Sequence, residues 1–344
     1  MSPARARVLA LVLASSTLVA AGALPASAVT APSAAPAPRA TLVAASSPTD
    51  TAASGTADRM PTKAWVTDLY RSRIAPSLKV PVTWSGSVSK CSMGRESDAS
   101  RAATLRTVNS MRLLVQLSPV KLDTTASGKA QKAALLMDAN GKLSHSPSKS
   151  DFPKCWTPAA KEAAGSSNLA LGATGSKAIA AYMAEPGDGN TAAGHRRWIL
   201  NPTTTHIATG STTNANALTV FGLGTSANAA KPKWIEWPAR GWFPQQVEPN
   251  GRWSLSSSNG AVSFDRASVK VQRVTTDGKV TKTHTVKKHP VATGYGPNSV
   301  VFDVSGIVRP TGKAVAYYRV TVTGIRGGGE SSYSYLVRLY DPTA

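Results

Sequence analysis

Residues 182–198, YMAEPGDGNTAAGHRRW, contain the end of one predicted helix, a turn and the start of the next helix. The first helix is predicted to end at Glu185, because Pro186 follows it and proline interrupts helices. Asn190 is a favourable N-cap residue, so the next helix is predicted to start near it and to carry His195. This short stretch therefore places a carboxylate and an imidazole at two neighbouring helix ends.

Two longer helices are predicted upstream of this stretch. Between 99 and 117, apolar residues recur at spacings of three and four, which predicts one apolar helix face. These residues are Leu105, Val108, Met111 and Val115. A second, alanine-rich helix is predicted over 125–139 and ends at Asn140-Gly141. Short strand candidates such as 217–221 follow the helices, and this mixture predicts a layered α+β domain.

The last third of the chain has the pattern of an all-β domain. Runs at 268–274 and 280–286 flank Asp277-Gly278, a dipeptide typical of tight hairpins. A final run, 333–339, alternates apolar and polar residues with a period of two. Several short strands at this spacing predict a small antiparallel β-sandwich.

The N-terminus has the pattern of a Sec-type signal peptide. Two early arginines precede an apolar run, and small residues of the A-x-A type follow it up to Ala28. The run is shorter than the ~20 apolar residues that span a bilayer. We therefore predict a secreted, extracellular protein without a transmembrane segment in the mature chain.

The domain organisation follows from changes in composition. We predict five segments: a signal peptide (1–28), a disordered Ala/Pro/Thr/Ser-rich tether (29–61), an α+β domain with an N-terminal extension (62–235), an aromatic-rich linker (236–250) and the β-sandwich (251–344). The aromatic rings around the linker are expected to pack between the domains, and a carbohydrate-stacking platform is the alternative. These rings are Trp234, Trp237, Trp242 and Phe243.

Charge and cysteine content restrict the partners and the compartment. The net charge of +21 is spread along the chain and favours anionic cell-wall or surface polymers. No nucleic-acid-binding motif accompanies this charge, so no nucleic-acid partner is expected. Cys91 and Cys155 are the two cysteines, and outside the cytoplasm they are most simply one disulfide, with two buried free thiols as the alternative.

Three polar residues are candidates for chemistry. His145, Glu185 and His195 match the ligand set that zinc favours, with a fourth position left for water. Their wide spacing leaves a second interpretation open, namely polar residues satisfied at helix ends. Common hydrolase motifs such as H-E-x-x-H and G-x-S-x-G are absent from the sequence. A metal-assisted hydrolysis with Glu185 as ligand or base remains as the enzymatic hypothesis.

Four short motifs in order resemble the CAP superfamily, which includes cysteine-rich secretory proteins, antigen five and pathogenesis-related proteins. They are Leu143-Ser144-His145-Ser146-Pro147, Gly165-Ser166-Ser167-Asn168-Leu169, Tyr182-Met183-Ala184-Glu185 and Gly194-His195-Arg196. Together with Arg252-Trp253-Ser254 and Gly294-Tyr295-Gly296, the longer match is similar to a bacterial secreted branch with a C-terminal β-sandwich. The resemblance implies a three-layer α-β-α sandwich.

The resemblance also implies a cleft in which two His and two Glu side chains hold a divalent metal. His145, Glu185 and His195 match three of them, while Ser167, beside Asn168, stands where the family has its second Glu. A neutral serine removes one negative charge, so weaker cation binding or a preference for zinc is expected. Glu162 lies five positions before Ser167 and is a poor substitute for the missing acid.

Function is less determined than architecture, because CAP proteins include sterol and fatty-acid binders, toxins, adhesins and, less securely, proteases. We predict a secreted binding protein whose cleft ligand is a lipid, a carbohydrate or a cell-surface component. The alternatives are an extracellular metal-assisted hydrolase acting on peptide or cell-wall substrates, and a purely structural interaction protein with a vestigial cleft.

Overall fold

The computed structural model describes residues 60–344 except Asn228 and Ala230. The predicted signal peptide (1–28) and all but the last two residues of the predicted tether (29–61) lie outside this range. Among the described residues, no helix is both long enough and apolar enough to span a membrane.

The helices predicted over 99–117, over 125–139 and up to Glu185 are present, and their ends lie within a few residues of the expected ones. The helices are α1 (Lys63–Leu69), continued by a π-helical turn (Tyr70–Ile74) into α2 (Ala75–Lys79), α3 (Asp98–Leu114), α4 (Thr124–Asn140), α5 (Pro158–Gly165), α6 (Gly175–Ala184) and α7 (Gly194–Ile199). Side chains of Thr62, Asp123 and Thr157 accept hydrogen bonds from backbone N–H groups of the first turns of α1, α4 and α5. These caps explain where the helices begin.

The helix that carries His195 starts later than predicted. It begins at Gly194, and Asn190 instead belongs to a 3₁₀ turn, Asp188–Asn190. The side chain of Asn190 donates to the carbonyl of Pro186, 2.6 Å away, so it closes the preceding turn. Ala193 adopts a left-handed conformation (φ 48°), which interrupts any helix between the two positions.

The N-terminal part is a three-layer α-β-α sandwich. Its sheet has the order β1-β3-β4-β2, formed by Lys121–Leu122, His206–Ser211, Ala215–Thr219 and Ser167–Leu171. Alternate strand residues face opposite layers: Leu169, Ala208 and Ala217 pack with α4 and α5. Ala170 and Leu218 belong to the hydrophobic cluster that contains residues of α3 and α6. The α+β fold class is confirmed.

Two further sheets form the C-terminal part. One sheet has the order β10-β11-β7-β5 and is antiparallel throughout; the other has the order β6-β13-β12-β8-β9. Their strands are β5 (Trp234–Trp237), β6 (Gly241–Pro244), β7 (Arg252–Ser257), β8 (Ser268–Val274), β9 (Val280–Thr283), β10 (Val286–Lys288), β11 (Ser299–Val304), β12 (Val315–Thr323) and β13 (Ser332–Tyr340). The pairing of β6 with β13 is parallel, which departs from the predicted purely antiparallel arrangement.

The run predicted as one strand over 280–286 is divided between the two sheets. The predicted hairpin is present, since β9 pairs with β8 across a turn in which the Thr275 N–H bonds to the Lys279 carbonyl. After His284, β10 instead pairs with β11 of the other sheet. The imidazole of His284 bonds to the carbonyl of Ser305, 2.8 Å away, at this crossing point.

The segment predicted as a linker contributes strands to both sheets, because β5 joins one sheet and β6 the other. Trp234, Trp237 and Phe243 are buried, and the rings of Trp237 and Phe243 pack edge to face with centroids 5.0 Å apart. The expected burial of these rings is confirmed, and the carbohydrate platform is wrong for them.

The α-β-α part and the C-terminal sheets share one continuous hydrophobic cluster, which includes Met111 of α3, Ile179 of α6, Phe302 of β11 and Tyr318 of β12. Residues 60–344 belong to a single compact unit. At its surface, Arg71 donates to the carbonyl of Ala344 at 2.7 Å, which links the N-terminal extension to the end of the chain. The domain boundaries stay a prediction.

Candidate functional site

The five predicted cleft residues lie at element ends in the α-β-α part. His145 lies in the loop after α4, Ser167 and Asn168 open β2, Glu185 directly follows α6, and His195 lies in the first turn of α7. Ser167, Asn168 and Glu185 are buried, whereas 23% of the His195 side chain remains exposed. His195 is therefore a group of this site that a ligand can reach.

Glu185 and His195 form a close pair. The Oε2 atom of Glu185 lies 2.7 Å from Nδ1 of His195, and its Oε1 atom accepts a hydrogen bond from the backbone N–H of Arg196 at 2.8 Å. Both carboxylate oxygens are thus engaged. An ionised carboxylate only accepts hydrogen bonds, so this arrangement assigns the proton to Nδ1 and leaves Nε2 as the free ring nitrogen.

His195 has two further contacts, one on its ring and one on its backbone. The ring of Tyr182 stacks on it, with centroids 5.1 Å apart and planes at 22°. The side-chain amide of Asn168 donates to the backbone carbonyl of His195 at 3.1 Å. Burial raises the pKa of Tyr182 well above its usual value, so the stacking ring stays a neutral phenol. The orientation of His195 is thus set before any ligand arrives.

The C-terminal sheets hold Glu185 in place. Nη1 of Arg252, on β7, donates to the backbone carbonyls of Glu185 and Gly187, each 2.6 Å away. Glu185 has a left-handed backbone (φ 54°), which an ordinary residue keeps only when its surroundings enforce it. Arg252 is held in turn by Asp303, which also binds His289. Burial alone would raise the pKa of Asp303, but these two bonds outweigh it and lower the pKa.

The two arginines that follow His195 also bind the C-terminal part. Arg196 donates to the carbonyl of Met183 at 2.8 Å and to the hydroxyl of Ser254 at 3.0 Å. Arg197 donates to the carbonyl of Pro297 at 3.0 Å. Burial lowers the pKa of both guanidinium groups to about 10. The helix that carries His195 is therefore attached to β7 and to the loop before β11.

The sequence did not indicate the roles of Arg252 and Tyr295, although both lie in motifs that resemble the family. Arg252 begins the Arg252-Trp253-Ser254 motif, and Tyr295 lies in Gly294-Tyr295-Gly296. The ring of Tyr295 packs so closely on Gly194 that a Cβ there would lie 2.7 Å from its Cδ1 atom. The position of glycine directly before the histidine was the signal that another group lies close to this turn.

His145 is held by the end of α5, just before the strand β2 that contacts His195. Its Nδ1 atom lies 3.0 Å from the carbonyl oxygen of Ala164, at the end of α5. Four residues later, Asn168 binds the backbone of His195. Four extended residues span at most about 14 Å. The two histidines are therefore anchored to the two ends of one short segment, while their assembly around a common ion stays a prediction.

Ser167 stands at the position where the family has its second glutamate, and its hydroxyl group is hydrogen-bonded to another hydroxyl group. The hydroxyl of Ser167 lies 2.9 Å from that of Thr219 on the adjacent strand β4. Glu162 forms an exposed ion pair with Lys129, with Nζ and Oε1 2.8 Å apart. Neither residue supplies a buried negative charge to this site in the way that a second glutamate would.

Any metal bound here would be held through the two imidazoles, and metal binding itself stays a prediction. Within residues 60–344, leaving aside 228 and 230, no three His, Cys, Asp or Glu side chains form a group that could hold a metal ion. Glu185 and the Ala164 carbonyl each engage Nδ1 of a histidine, which is the usual outer arrangement around metal-binding imidazoles. The Nε2 atoms of His145 and His195 are then the available donors.

Comparison with known families gives one match. Residues 105–223 match the model of CAP, the cysteine-rich secretory protein family. No curated protein and no solved structure was found to match the chain. Residues 105–223 are thus similar to a CAP domain, and this region contains most of α3, the helices α4 to α7, the sheet β1-β3-β4-β2 and the Glu185–His195 pair.

Proposed function

We propose that this chain is an exported binding protein whose CAP domain contacts its ligand through His195. The observation that carries the proposal is the fixed imidazole: Glu185 holds Nδ1, Tyr182 stacks on the ring, and part of the side chain stays exposed. A polar group oriented in advance binds a ligand with little loss of conformational entropy. Lipids, carbohydrates and cell-surface components are the candidate ligands.

The hydrogen bonding around the site favours binding over hydrolysis. Hydrolysis through a side-chain nucleophile needs that nucleophile to be free beside the base, and the free Nε2 atom of His195 supplies the base alone. Here both oxygens of Glu185 are already engaged, and the hydroxyl of Ser167 pairs with Thr219. These contacts support a site that recognises a ligand without transforming it.

A divalent metal such as zinc would be held by His145 and His195. Glu185 and the carbonyl of Ala164 would orient the two rings, in the manner described above. When bound, zinc would supply a Lewis acid that attracts a ligand oxygen. The carboxylate–imidazole pair is also the observation that keeps metal-assisted hydrolysis of peptide or wall substrates as the second candidate function.

Zinc binding tests this site directly. We expect the full chain to bind zinc, and the double variant His145→Ala/His195→Ala to bind it at least tenfold more weakly, because both free imidazole nitrogens are removed. Isothermal titration calorimetry with zinc chloride measures the affinity. His206→Ala is the matched control, since His206 lies on β3 and bonds to Thr205.

Equal zinc affinity in the wild-type chain and the double variant would end the metal proposal. The same proteins, incubated with peptides and cell-wall fragments, distinguish the two functions. Cleavage by the wild-type chain that disappears in the double variant would replace the binding function by the hydrolase.

The positive charge is proposed to hold the exported protein near anionic wall or surface polymers. The net charge is +21 for the full chain and +19 without Arg5 and Arg7 of the predicted signal peptide, and screening weakens attraction between exposed charges as salt rises. We expect saturable retention on purified cell-wall material at about 20 mM salt and release at about 1 M, where the Debye length falls to ~3 Å. A sedimentation assay measures the bound fraction.

Chain with acetylated lysines serves as the control for this assay, because acetylation removes the lysine charges. Retention should fall strongly after acetylation. If the unmodified chain is not retained at low salt, the proposed attraction to anionic polymers is wrong. The proposed ligand binding through His195 does not depend on this result.

A further inference from the structure

A cavity of about 340 Å³ lies between the N-terminal extension and the CAP domain. Residues 93–96 of the extension form one wall, and the beginnings of α3 and α4 form the others, with Thr209 of β3 among the lining residues. The ten described residues that line it include none of the five cleft residues. Its volume is at the lower end of small-molecule sites, which range over about 300–1,000 Å³.

The wall of this cavity contains a buried carboxyl group with an unused oxygen. Glu96 is 1% exposed, and its Oε1 atom accepts a hydrogen bond from the hydroxyl of Ser100. Among the described residues, its Oε2 atom has no hydrogen-bond partner. Burial raises the pKa of Glu96, and Ser100, Ser211 and the charge of Arg101 offset the rise only in part. A buried polar atom without a partner carries a free-energy cost that a ligand donor would remove.

The neighbouring polar groups are held by the protein itself. Gln131 donates to the carbonyl of Ser211 at 2.9 Å and accepts from its N–H at 3.2 Å. The hydroxyl of Ser127 donates to the carbonyl of Asp123 at 2.7 Å. Ser127 and Gln131 are therefore already hydrogen-bonded within the protein. Among the described residues of this wall, Glu96 has an oxygen, Oε2, without a hydrogen-bond donor.

The charges at the mouth of the cavity restrict the ligand. Arg95 and Arg101 both bind the carboxylate of Asp98, so two cations share one anion there. With Glu96 these groups comprise two guanidinium and two carboxyl groups, so their formal charges cancel. A cationic ligand would meet the two arginines, and an anionic ligand would meet the two carboxyl groups. A neutral ligand with several hydroxyl groups meets neither obstacle, because hydroxyls both donate to a carboxyl oxygen and accept from a guanidinium group.

We propose that this cavity binds a neutral carbohydrate, with room for one or two sugar rings. One ligand hydroxyl donates to Oε2 of Glu96, and another accepts from the guanidinium group of Arg101, which is only 16% exposed. This site is independent of His195 and uses the extension, which lies outside the matched family region of 105–223.

The structure offers a direct way to fill the cavity. Gly128, on α4, lines it, and a Cβ built there meets no atom within 4 Å. Gly128→Leu therefore places a side chain into open space and also introduces a better helix former. Thr125→Leu is the matched control, because Thr125 is exposed on the same helix and does not line the cavity.

The experiment is calorimetric titration of the full chain with glucose, N-acetylglucosamine, maltose and diacetylchitobiose, with methylammonium chloride and sodium acetate as charged comparators. We expect saturable binding of at least one saccharide, weakened at least tenfold in Gly128→Leu and in Glu96→Gln, and unchanged in Thr125→Leu. Circular dichroism checks folding. If Glu96→Gln fails to fold, Gly128→Leu decides.

Three results would overturn the proposal: no saccharide of the panel binds, methylammonium or acetate binds in place of the saccharides, or Gly128→Leu leaves saccharide affinity unchanged. Zinc affinity should be equal in Gly128→Leu and the wild-type chain. The outcome for this cavity is therefore separate from the outcome for the His195 site.

Discussion

Replacing Arg112 by methionine is expected to lower the free energy of unfolding by about 4 kcal/mol or more, because hydrogen bonds to charged groups contribute roughly 1.5–3 kcal/mol each. Arg112 lies on α3, is fully buried, and donates to four backbone carbonyls. The acceptors are Ser118 (2.8 Å), Ile199 (2.8 Å), Asn201 (2.9 Å) and Thr204 (3.3 Å). Burial lowers the pKa of Arg112 to about 10, which still leaves it charged at neutral pH.

The reason for the size of this effect is that methionine fills the volume but leaves the carbonyls without a donor. The carbonyl of Ile199 ends α7, and those of Asn201 and Thr204 lie in the turn that leads into β3, so the turn that follows the His195 helix should loosen first. Denaturation with guanidinium chloride measures the loss. Arg112→Lys should give an intermediate loss, since lysine keeps the charge but not the planar fork of donors.

Arg106→Met is the matched control for this prediction. Arg106 lies on the same helix, is exposed, and donates to the hydroxyl of Ser77 at 3.0 Å. Its replacement should cost no more than about 1 kcal/mol. Similar losses for Arg106→Met and Arg112→Met would contradict the role assigned to the buried guanidinium group.

Removing the disulfide is the second large effect that we expect. Cys91 and Cys155 are bonded across 64 positions, as predicted from the cysteine count. The cross-link restricts the unfolded chain, and the loop-entropy relation gives about 4 kcal/mol for a loop of this length. The double variant Cys91→Ser/Cys155→Ser should therefore unfold at a clearly lower denaturant concentration.

Reductant provides the control for the disulfide prediction. Dithiothreitol should destabilise the wild-type chain to the level of the double variant and should leave the variant unchanged. A variant as stable as the oxidised wild-type chain would show that the bond does not stabilise the fold. In that case, the link between the extension and the α-β-α part would rest on packing alone.

Local signals account for the parts of the fold that the sequence predicted well. The bounds of α4 and the end of α6 agree with prediction within about one residue, because Asp123 caps one helix and Pro186 limits the other. The strand Ser268–Val274 was predicted with its observed ends, since the turn beside it has its own signature. In each case the information lies within a few residues of the element.

The parts of the fold that the sequence did not predict depend on which β-strands pair with each other. Residues 280–286 have the pattern of one strand, yet their two halves pair with different sheets. The strand Gly241–Pro244 was taken for a linker, although it pairs in parallel with β13, nearly one hundred positions away. Alternation of apolar and polar residues indicates which face of a strand is buried, but it does not identify the strand that pairs with it.

The candidate site likewise contains residues that the sequence predicted and one whose role it did not predict. Glu185 and His195 were predicted to be candidate site residues at the ends of two successive helices, and the structure has them 2.7 Å apart, while their common site with His145 stays a prediction. Arg252 had no predicted role, although it binds the carbonyls of Glu185 and Gly187 across more than sixty positions. A donor on a distant strand leaves no mark in the local pattern around the residue that it holds.

The amino-acid sequence by itself determined the CAP motifs, the helices and hairpin, the disulfide pair and the basic charge, because each depends on residue type and short-range spacing. Tertiary structure alone decided the layering of three sheets, the burial of Arg112, the support of Glu185 by Arg252 and the cavity around Glu96. These features depend on contacts between segments far apart in the chain, whose free energy exists only once the hydrophobic core has brought them together.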